Sequence, residues 1–171
     1  MTLATWLTLS RILLSLPVAF ALLLGEGVWA ATLLAIAAVT DFLDGYLARA
    51  RNEVTEMGAA LDPIADKLLT LSALVSFVAI NTVAGFHLIA VLAILLREAF
   101  VSGLREAMAG KSTLPVTKLA KLKTTLQFFA LFGLCFGPSL WGLALLWAAA
   151  GLTLWTGWQY FSQWKTILSS D

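Results

Sequence analysis

Six long apolar runs divide this chain, and they constrain its fold more than any other feature. The runs cover residues 3–24, 28–48, 60–80, 86–104, 120–137 and 139–161. Each run approaches the roughly 20 residues that a helix needs to cross about 30 Å of hydrocarbon. Only 12% of the residues are charged, whereas about a quarter of an ordinary soluble domain is charged. The sequence therefore predicts an all-α integral membrane bundle of six transmembrane helices, in a single domain over residues 1–171.

The basic residues favour one orientation of this bundle. All eleven Lys and Arg residues fall in or beside the N-terminus, the second loop, the fourth loop or the C-terminus. Because Lys and Arg near the ends of spans face the cytoplasm, we expect both termini and these two loops to be cytoplasmic. The N-terminus lacks the basic region and cleavage site of a signal peptide, so we expect no removable segment.

Four carboxylates lie where the second and third apolar runs meet. Asp41 and Asp44 are three residues apart, and Asp62 and Asp66 are four apart with Gly58 on the same face. Residues at these spacings share one face of a helix. A charge at membrane depth costs at least a few kcal/mol. Helices joined by a short loop are antiparallel neighbours, so we expect the two acidic faces to meet and form a site near the cytoplasmic surface.

Four converging carboxylates cannot all stay ionised in a low-dielectric site without a cation. Oxygen ligands favour Mg²⁺, Mn²⁺ or Ca²⁺. Two such ions would suit a phosphoryl-type displacement, with one carboxylate acting as general base. Two alternatives remain. The acids could pair with nearby Arg and Lys to hold the bundle together, or they could line the path of a cation transporter.

The same residues resemble a known signature. The pattern D-x-x-D-G-x-x-A-R runs from Asp41 to Arg49, and G-x-x-x-D-x-x-x-D runs from Gly58 to Asp66. Together they are similar to the signature of the CDP-alcohol phosphotransferase family at all eight of its positions. The resemblance implies a six-helix membrane fold, usually homodimeric, whose site opens to the cytoplasm. It also implies a divalent-metal-dependent transfer of a phosphatidyl group from a CDP-lipid to an alcohol, with release of CMP.

The resemblance further implies roles for individual residues. It implies two metal ions, Mg²⁺ or Mn²⁺, held by Asp41, Asp44, Asp62 and Asp66. It makes Asp66 the catalytic base as well. It implies that the CDP-lipid is bound by Asp44, Gly45, Ala48, Arg49 and Gly58.

A basic region around residues 97–127 bears on the identity of the acceptor alcohol. Two motifs in this region resemble one branch of the family: R-E-x-x-V-S-G-L-R-E at 97–106 and K-x-K-T-T-x-Q at 121–127. This resemblance implies sn-glycerol 3-phosphate as acceptor and a role in phospholipid biosynthesis. The candidate acceptor-binding residues are Arg97, Arg105, Lys118, Lys121 and Lys123. These bases could instead reflect cytoplasmic orientation or contact with anionic lipids. Inositol phosphate, phosphatidylglycerol and serine remain alternative acceptors, and the expected location is a bacterial plasma membrane.

Overall fold

The computed structural model describes residues 3–51, 56–107 and 118–168, and these residues form six α-helices and no β-strand. The helices are α1 (Leu3–Leu23), α2 (Gly27–Arg51), α3 (Glu56–Ala79), α4 (Leu88–Ala107), α5 (Lys118–Leu134) and α6 (Leu140–Leu168). A single 3₁₀ turn, Gly85–His87, leads into α4. The all-α class and one helix for each apolar run are confirmed.

Residues in the left-handed conformation mark three of the helix ends. Gly25, Asn81 and Gly137 adopt the left-handed conformation, with φ values of 78°, 58° and 104°. They lie just after the ends of α1, α3 and α5, where such a conformation stops a helix. Two helices extend well beyond their apolar runs, because α3 begins at Glu56 and α6 continues to Leu168. An apolar run marks only the part of a helix suited to lipid, whereas helical hydrogen bonding continues into polar flanks.

Within the described residues, two helical stretches satisfy both the length and the hydropathy expected of a membrane span. They are Gly85–Glu106, with a mean hydropathy of 1.8, and Leu140–Lys165, with 1.4. The stretches Thr8–Leu23 and Gly27–Asp41 are apolar but shorter. The six-span arrangement and the orientation of the termini stay predictions.

The helices belong to two compact units. The first comprises Met1–Val83 and Leu131–Ser139, and α1 is its centre because α1 contacts both α2 and α3. The buried face of α1 repeats every three or four residues. Its members are Thr8, Arg11, Ser15, Val18 and Leu22. Apart from Val18 and Leu22 they are polar, so the centre of this unit contains polar as well as apolar side chains.

The second unit comprises Ala84–Ala130 and Leu140–Asp171, and α4 contacts α6 within it. The two helices bury residues at the alternating spacing of three and four that is typical of closely paired helices. On α4 these residues are Ala90, Ile94, Arg97, Val101 and Leu104. On α6 they are Leu146, Ala149, Thr153, Thr156 and Tyr160. The predicted single domain stays a prediction.

Gly27, the first residue of α2, lies against the backbone that follows α5. A Cβ atom built on Gly27 would lie 1.9 Å from the carbonyl oxygen of Cys135. No real side chain tolerates that distance, and a backbone carbonyl cannot rotate away as a flexible side chain would. The start of α2 can therefore approach this turn only because residue 27 is glycine.

We expect Gly27→Ala to lower the free energy of unfolding by about 1–3 kcal/mol, the usual cost of forcing an extra group into a tight contact. The measurement is the thermal unfolding midpoint in detergent micelles. Gly151→Ala is the matched control, because a Cβ on Gly151 of α6 would have no neighbour within 4 Å. An equal change in both variants would contradict the importance of the close contact.

Candidate active site

Asp41 continues the buried face of α2 to the point where that face opens to solvent. Ala30, Leu34 and Ala37 are buried along this face, and Asp41 follows them at helical spacing. A guanidinium nitrogen of Arg11, Nη1, donates a hydrogen bond to Oδ1 of Asp41. The Asp41 side chain is 60% exposed, whereas that of Arg11 is only 3% exposed. Arg11 thus anchors Asp41 from within the unit while the carboxylate remains accessible.

Arg11 was not predicted as a site residue from the sequence. A buried guanidinium needs an anionic partner, because an unpaired charge in an apolar interior is very costly. Asp41 is that partner, so one of the four acids does form the structural ion pair considered as an alternative. An isolated arginine within an apolar run is itself a sign of a functional site. That rule identifies Arg11, whereas its pairing with Asp41 depends on how α1 and α2 pack.

Asp66 lies on the exposed side of α3, next to the fully buried Ala65. The side chains of the other signature residues lie outside the described part of the chain. These are Asp44, Gly45, Ala48, Arg49, Gly58 and Asp62. Among the side chains that are described, no three His, Cys, Asp or Glu groups converge, but that set holds only two of the four acids. The convergence of all four therefore stays a prediction.

In the second unit, a buried carboxylate joins two of the predicted acceptor-binding residues. Oε1 of Glu98 accepts a hydrogen bond from Nη1 of Arg97 at 3.1 Å. The same oxygen accepts a hydrogen bond from Nζ of Lys123. All three side chains are nearly buried. Arg97 also donates through Nη2 to Oγ1 of Thr156 at 3.0 Å, which connects this group to α6.

Tyr160 of α6 joins Arg97 to a third predicted residue, Arg105. Nη2 of Arg105 donates to the Tyr160 hydroxyl at 2.9 Å. The guanidinium carbons of Arg97 and Arg105 lie 5.6 and 5.2 Å from the centroid of the Tyr160 ring. Both distances are within the range of cation–π attraction. Tyr160 therefore contacts both arginines of the R-E-x-x-V-S-G-L-R-E motif.

The structure thus brings together Arg97, Arg105 and Lys123 through shared partners. Lys121 is exposed on α5, and no contact described here joins it to this group. The side chain of Lys118 lies outside the described residues. Glu98, Thr156 and Tyr160 were not predicted as site residues from the sequence. The available signal was the helical spacing of Thr153, Thr156 and Tyr160 along an apolar run, where polar groups need partners.

Comparison with known proteins agrees with the signature. A model of the CDP-alcohol phosphatidyltransferase family matches residues 1–155. The chain belongs to that family. The resemblance read from Asp41 to Asp66 is confirmed, and membership makes the chain a phosphatidyltransferase. Members of this family generally use divalent metal ions.

Several bacterial relatives are similar over most of their length. A protein of Cereibacter sphaeroides is 39% identical, with 91% of each chain covered. A protein of Rickettsia typhi is 44% identical over 80% of each chain. A third, from Escherichia coli K12, is 43% identical over 78% of this chain and 76% of its own. All three are named CDP-diacylglycerol–glycerol-3-phosphate 3-phosphatidyltransferase. With the two apolar helical stretches, the bacterial relatives indicate a membrane protein.

We expect Glu98→Gln to lower the free energy of unfolding by about 3 kcal/mol, the order seen when one partner is removed from a buried ion pair. The neutral amide would leave Arg97 and Lys123 buried without their shared negative charge. The check is the thermal unfolding midpoint in detergent. Glu106→Gln is the matched control, the same change at an exposed position of α4. Equal midpoints for the two variants would show that the shared carboxylate is not stabilising.

Proposed function

We propose that this family member transfers the phosphatidyl group of CDP-diacylglycerol to sn-glycerol 3-phosphate, giving phosphatidylglycerophosphate and CMP. The observation that carries the proposal is the basic group held together by Glu98 and Tyr160. Arg97, Arg105 and Lys123 bring three positive charges and Glu98 one negative charge. Such an excess favours a dianionic acceptor over a neutral alcohol. The names of the relatives support the same acceptor.

The acidic residues fit a divalent cation. We propose that Asp41, Asp44, Asp62 and Asp66 hold two ions, Mg²⁺ or Mn²⁺. All the donors are carboxylate oxygens, which such hard cations prefer. Asp41 and Asp66 are exposed on their helices and so are accessible to an ion. When bound, the ions would neutralise charge on the diphosphate.

The rest of the signature would bind the CDP-lipid beside these acids. Gly45, Ala48 and Gly58 have little or no side chain, which leaves room for the cytidine and the diphosphate. The guanidinium of Arg49 can form paired hydrogen bonds with phosphate oxygens. Asp44 would contact the nucleotide as well as a cation. The lipid tails would extend into the bilayer.

The reaction follows as a single displacement at phosphorus. The acceptor phosphate would be attracted and held by five basic side chains, those of Arg97, Arg105, Lys118, Lys121 and Lys123. Asp66 would remove the proton from the 1-hydroxyl of glycerol 3-phosphate as that oxygen attacks the lipid-side phosphorus. A new phosphorus–oxygen bond forms as the bond to CMP breaks. The proton ends on the Asp66 carboxylate, and CMP leaves with the bonding electron pair.

The six-span topology belongs to the same proposal. The charge distribution supports cytoplasmic termini and a site that opens to the cytoplasm. The bacterial relatives support a plasma membrane location. The family resemblance supports a homodimer. In this proposed topology the acceptor site would lie on the side of the membrane where soluble phosphorylated metabolites are found.

We expect the purified protein, given CDP-diacylglycerol and Mg²⁺ or Mn²⁺, to release CMP only when glycerol 3-phosphate is added. The measurement is CMP release, with the lipid product identified by mass spectrometry. Inositol phosphate, serine and phosphatidylglycerol serve as parallel acceptors. Release with one of these and not with glycerol 3-phosphate would refute the acceptor assignment. No release with any acceptor would refute the proposed reaction as a whole.

We expect Asp66→Asn to reduce CMP release at least about 100-fold, because a general base contributes roughly 10²–10⁴-fold to rate. Circular dichroism and size-exclusion chromatography should show an intact fold. Glu26→Gln is a suitable control, since Glu26 is an exposed carboxylate in the turn between α1 and α2. Retained turnover in the Asp66 variant would rule out its role as the base.

A further inference from the structure

Tyr160 lies on the buried face of α6, one helical turn after Thr156. Its side chain is 2% exposed, although it is the largest of the fully buried side chains described. Its hydroxyl accepts the hydrogen bond from Arg105, and its ring lies within cation–π distance of both Arg97 and Arg105. A buried tyrosine usually satisfies its hydroxyl with one partner. This one contacts two cations from another helix as well.

The two arginines need a common support because of where they lie on α4. They are eight residues apart, so their Cα atoms are separated by about 12 Å along the helix axis. Arginine is long and rich in rotamers, and ordering such a side chain on binding costs conformational entropy. Two guanidinium groups that approach one anion also repel each other. A ring that attracts both groups orders them before the anion arrives.

The surface of α6 beside Tyr160 also accommodates Arg97. Thr156 accepts a hydrogen bond from Arg97 at 3.0 Å. A Cβ atom on Gly157 would lie 3.0 Å from Cγ of Arg97, so the glycine leaves space for the arginine stem. Thr156 and Tyr160 of α6 therefore hold Arg97 in place, and Gly157 leaves room for it. Of these three residues, Tyr160 also contacts Arg105.

We propose that Tyr160 is a positioning residue that orients Arg97 and Arg105 for the phosphate of the acceptor, and so makes the enzyme selective for a phosphorylated alcohol. The proposal rests on the proposed function, which assigns these arginines to the acceptor. Tyr160 acts through the arginines and takes no part in bond making. Its removal therefore weakens acceptor binding and leaves the binding of the CDP-lipid unchanged.

The test is a comparison of Tyr160→Phe and Tyr160→Leu with the unaltered enzyme in the CMP-release assay. We expect Tyr160→Phe, which keeps the ring and loses the hydroxyl, to raise the KM for glycerol 3-phosphate about threefold to tenfold. We expect Tyr160→Leu to raise it further. The KM for CDP-diacylglycerol should stay within twofold, roughly the precision of such constants. Trp158→Phe, at an exposed aromatic position of the same helix, should change neither constant.

A second comparison separates positioning from general stability. In an Arg105→Ala background, Tyr160→Phe should produce no further rise in the acceptor KM, because the proposed effect of the hydroxyl on the acceptor is through its hydrogen bond from Arg105. Additive effects, or equal changes in the KM values of both substrates, would overturn the proposal. An unchanged acceptor KM in Tyr160→Phe would overturn it too.

The result also distinguishes this proposal from the proposed function. If the unaltered enzyme uses glycerol 3-phosphate and Tyr160→Phe behaves identically, only the role of Tyr160 is refuted. If the unaltered enzyme uses a different phosphorylated acceptor, the proposed function is refuted, and the same comparison with that acceptor decides the role of Tyr160. If it uses only an unphosphorylated alcohol, both are refuted.

Discussion

A cation buried among apolar helices must have a carboxylate partner, and both units of this protein are built on that requirement. In the first unit, Arg11 lies on the buried face of α1 and pairs with Asp41 of α2. In the second, Glu98 of α4 accepts hydrogen bonds from Arg97 and from Lys123 of α5 through one oxygen. Because an unpaired buried charge is so costly, each pair restricts how its helices can slide past one another. Charged residues therefore contribute to helix register in both units.

The helices themselves were predictable because apolar run length is a local property of the sequence. The glycines and Asn81 between the runs determine where the helices stop, and these too are local. The ion pairs were not predictable in the same way. Arg11 and Asp41 are thirty residues apart, and their meeting depends on the relative height of two helices. Hydropathy indicates which face of a helix is buried. It carries little information about how far one helix is shifted along its axis relative to its neighbour.

The candidate site shows the same division between local and non-local information. The signature from Asp41 to Asp66 lies within one stretch, so the sequence was enough to identify the family and its chemistry. Two partners of the arginines, Thr156 and Tyr160, come from α6, more than fifty residues later. The chain has seven Trp and ten Phe residues, and among so many aromatic side chains one tyrosine does not stand out. Its contacts with Arg97 and Arg105 link it to the proposed acceptor site.

The contact at Gly27 has a mechanical consequence for the acidic residues. Gly27 fits against the carbonyl of Cys135 with no room for a Cβ atom, so the first turn of α2 has little lateral freedom. Asp41 lies fourteen residues further along the same helix, about 21 Å away at 1.5 Å per residue. Over that length, a helix tilt of about 5° at the glycine displaces the carboxylate by roughly 2 Å, comparable to the length of a metal–oxygen bond. The close contact at Gly27 therefore limits how far α2 can tilt. By limiting the tilt, it also limits how far Asp41 can be displaced.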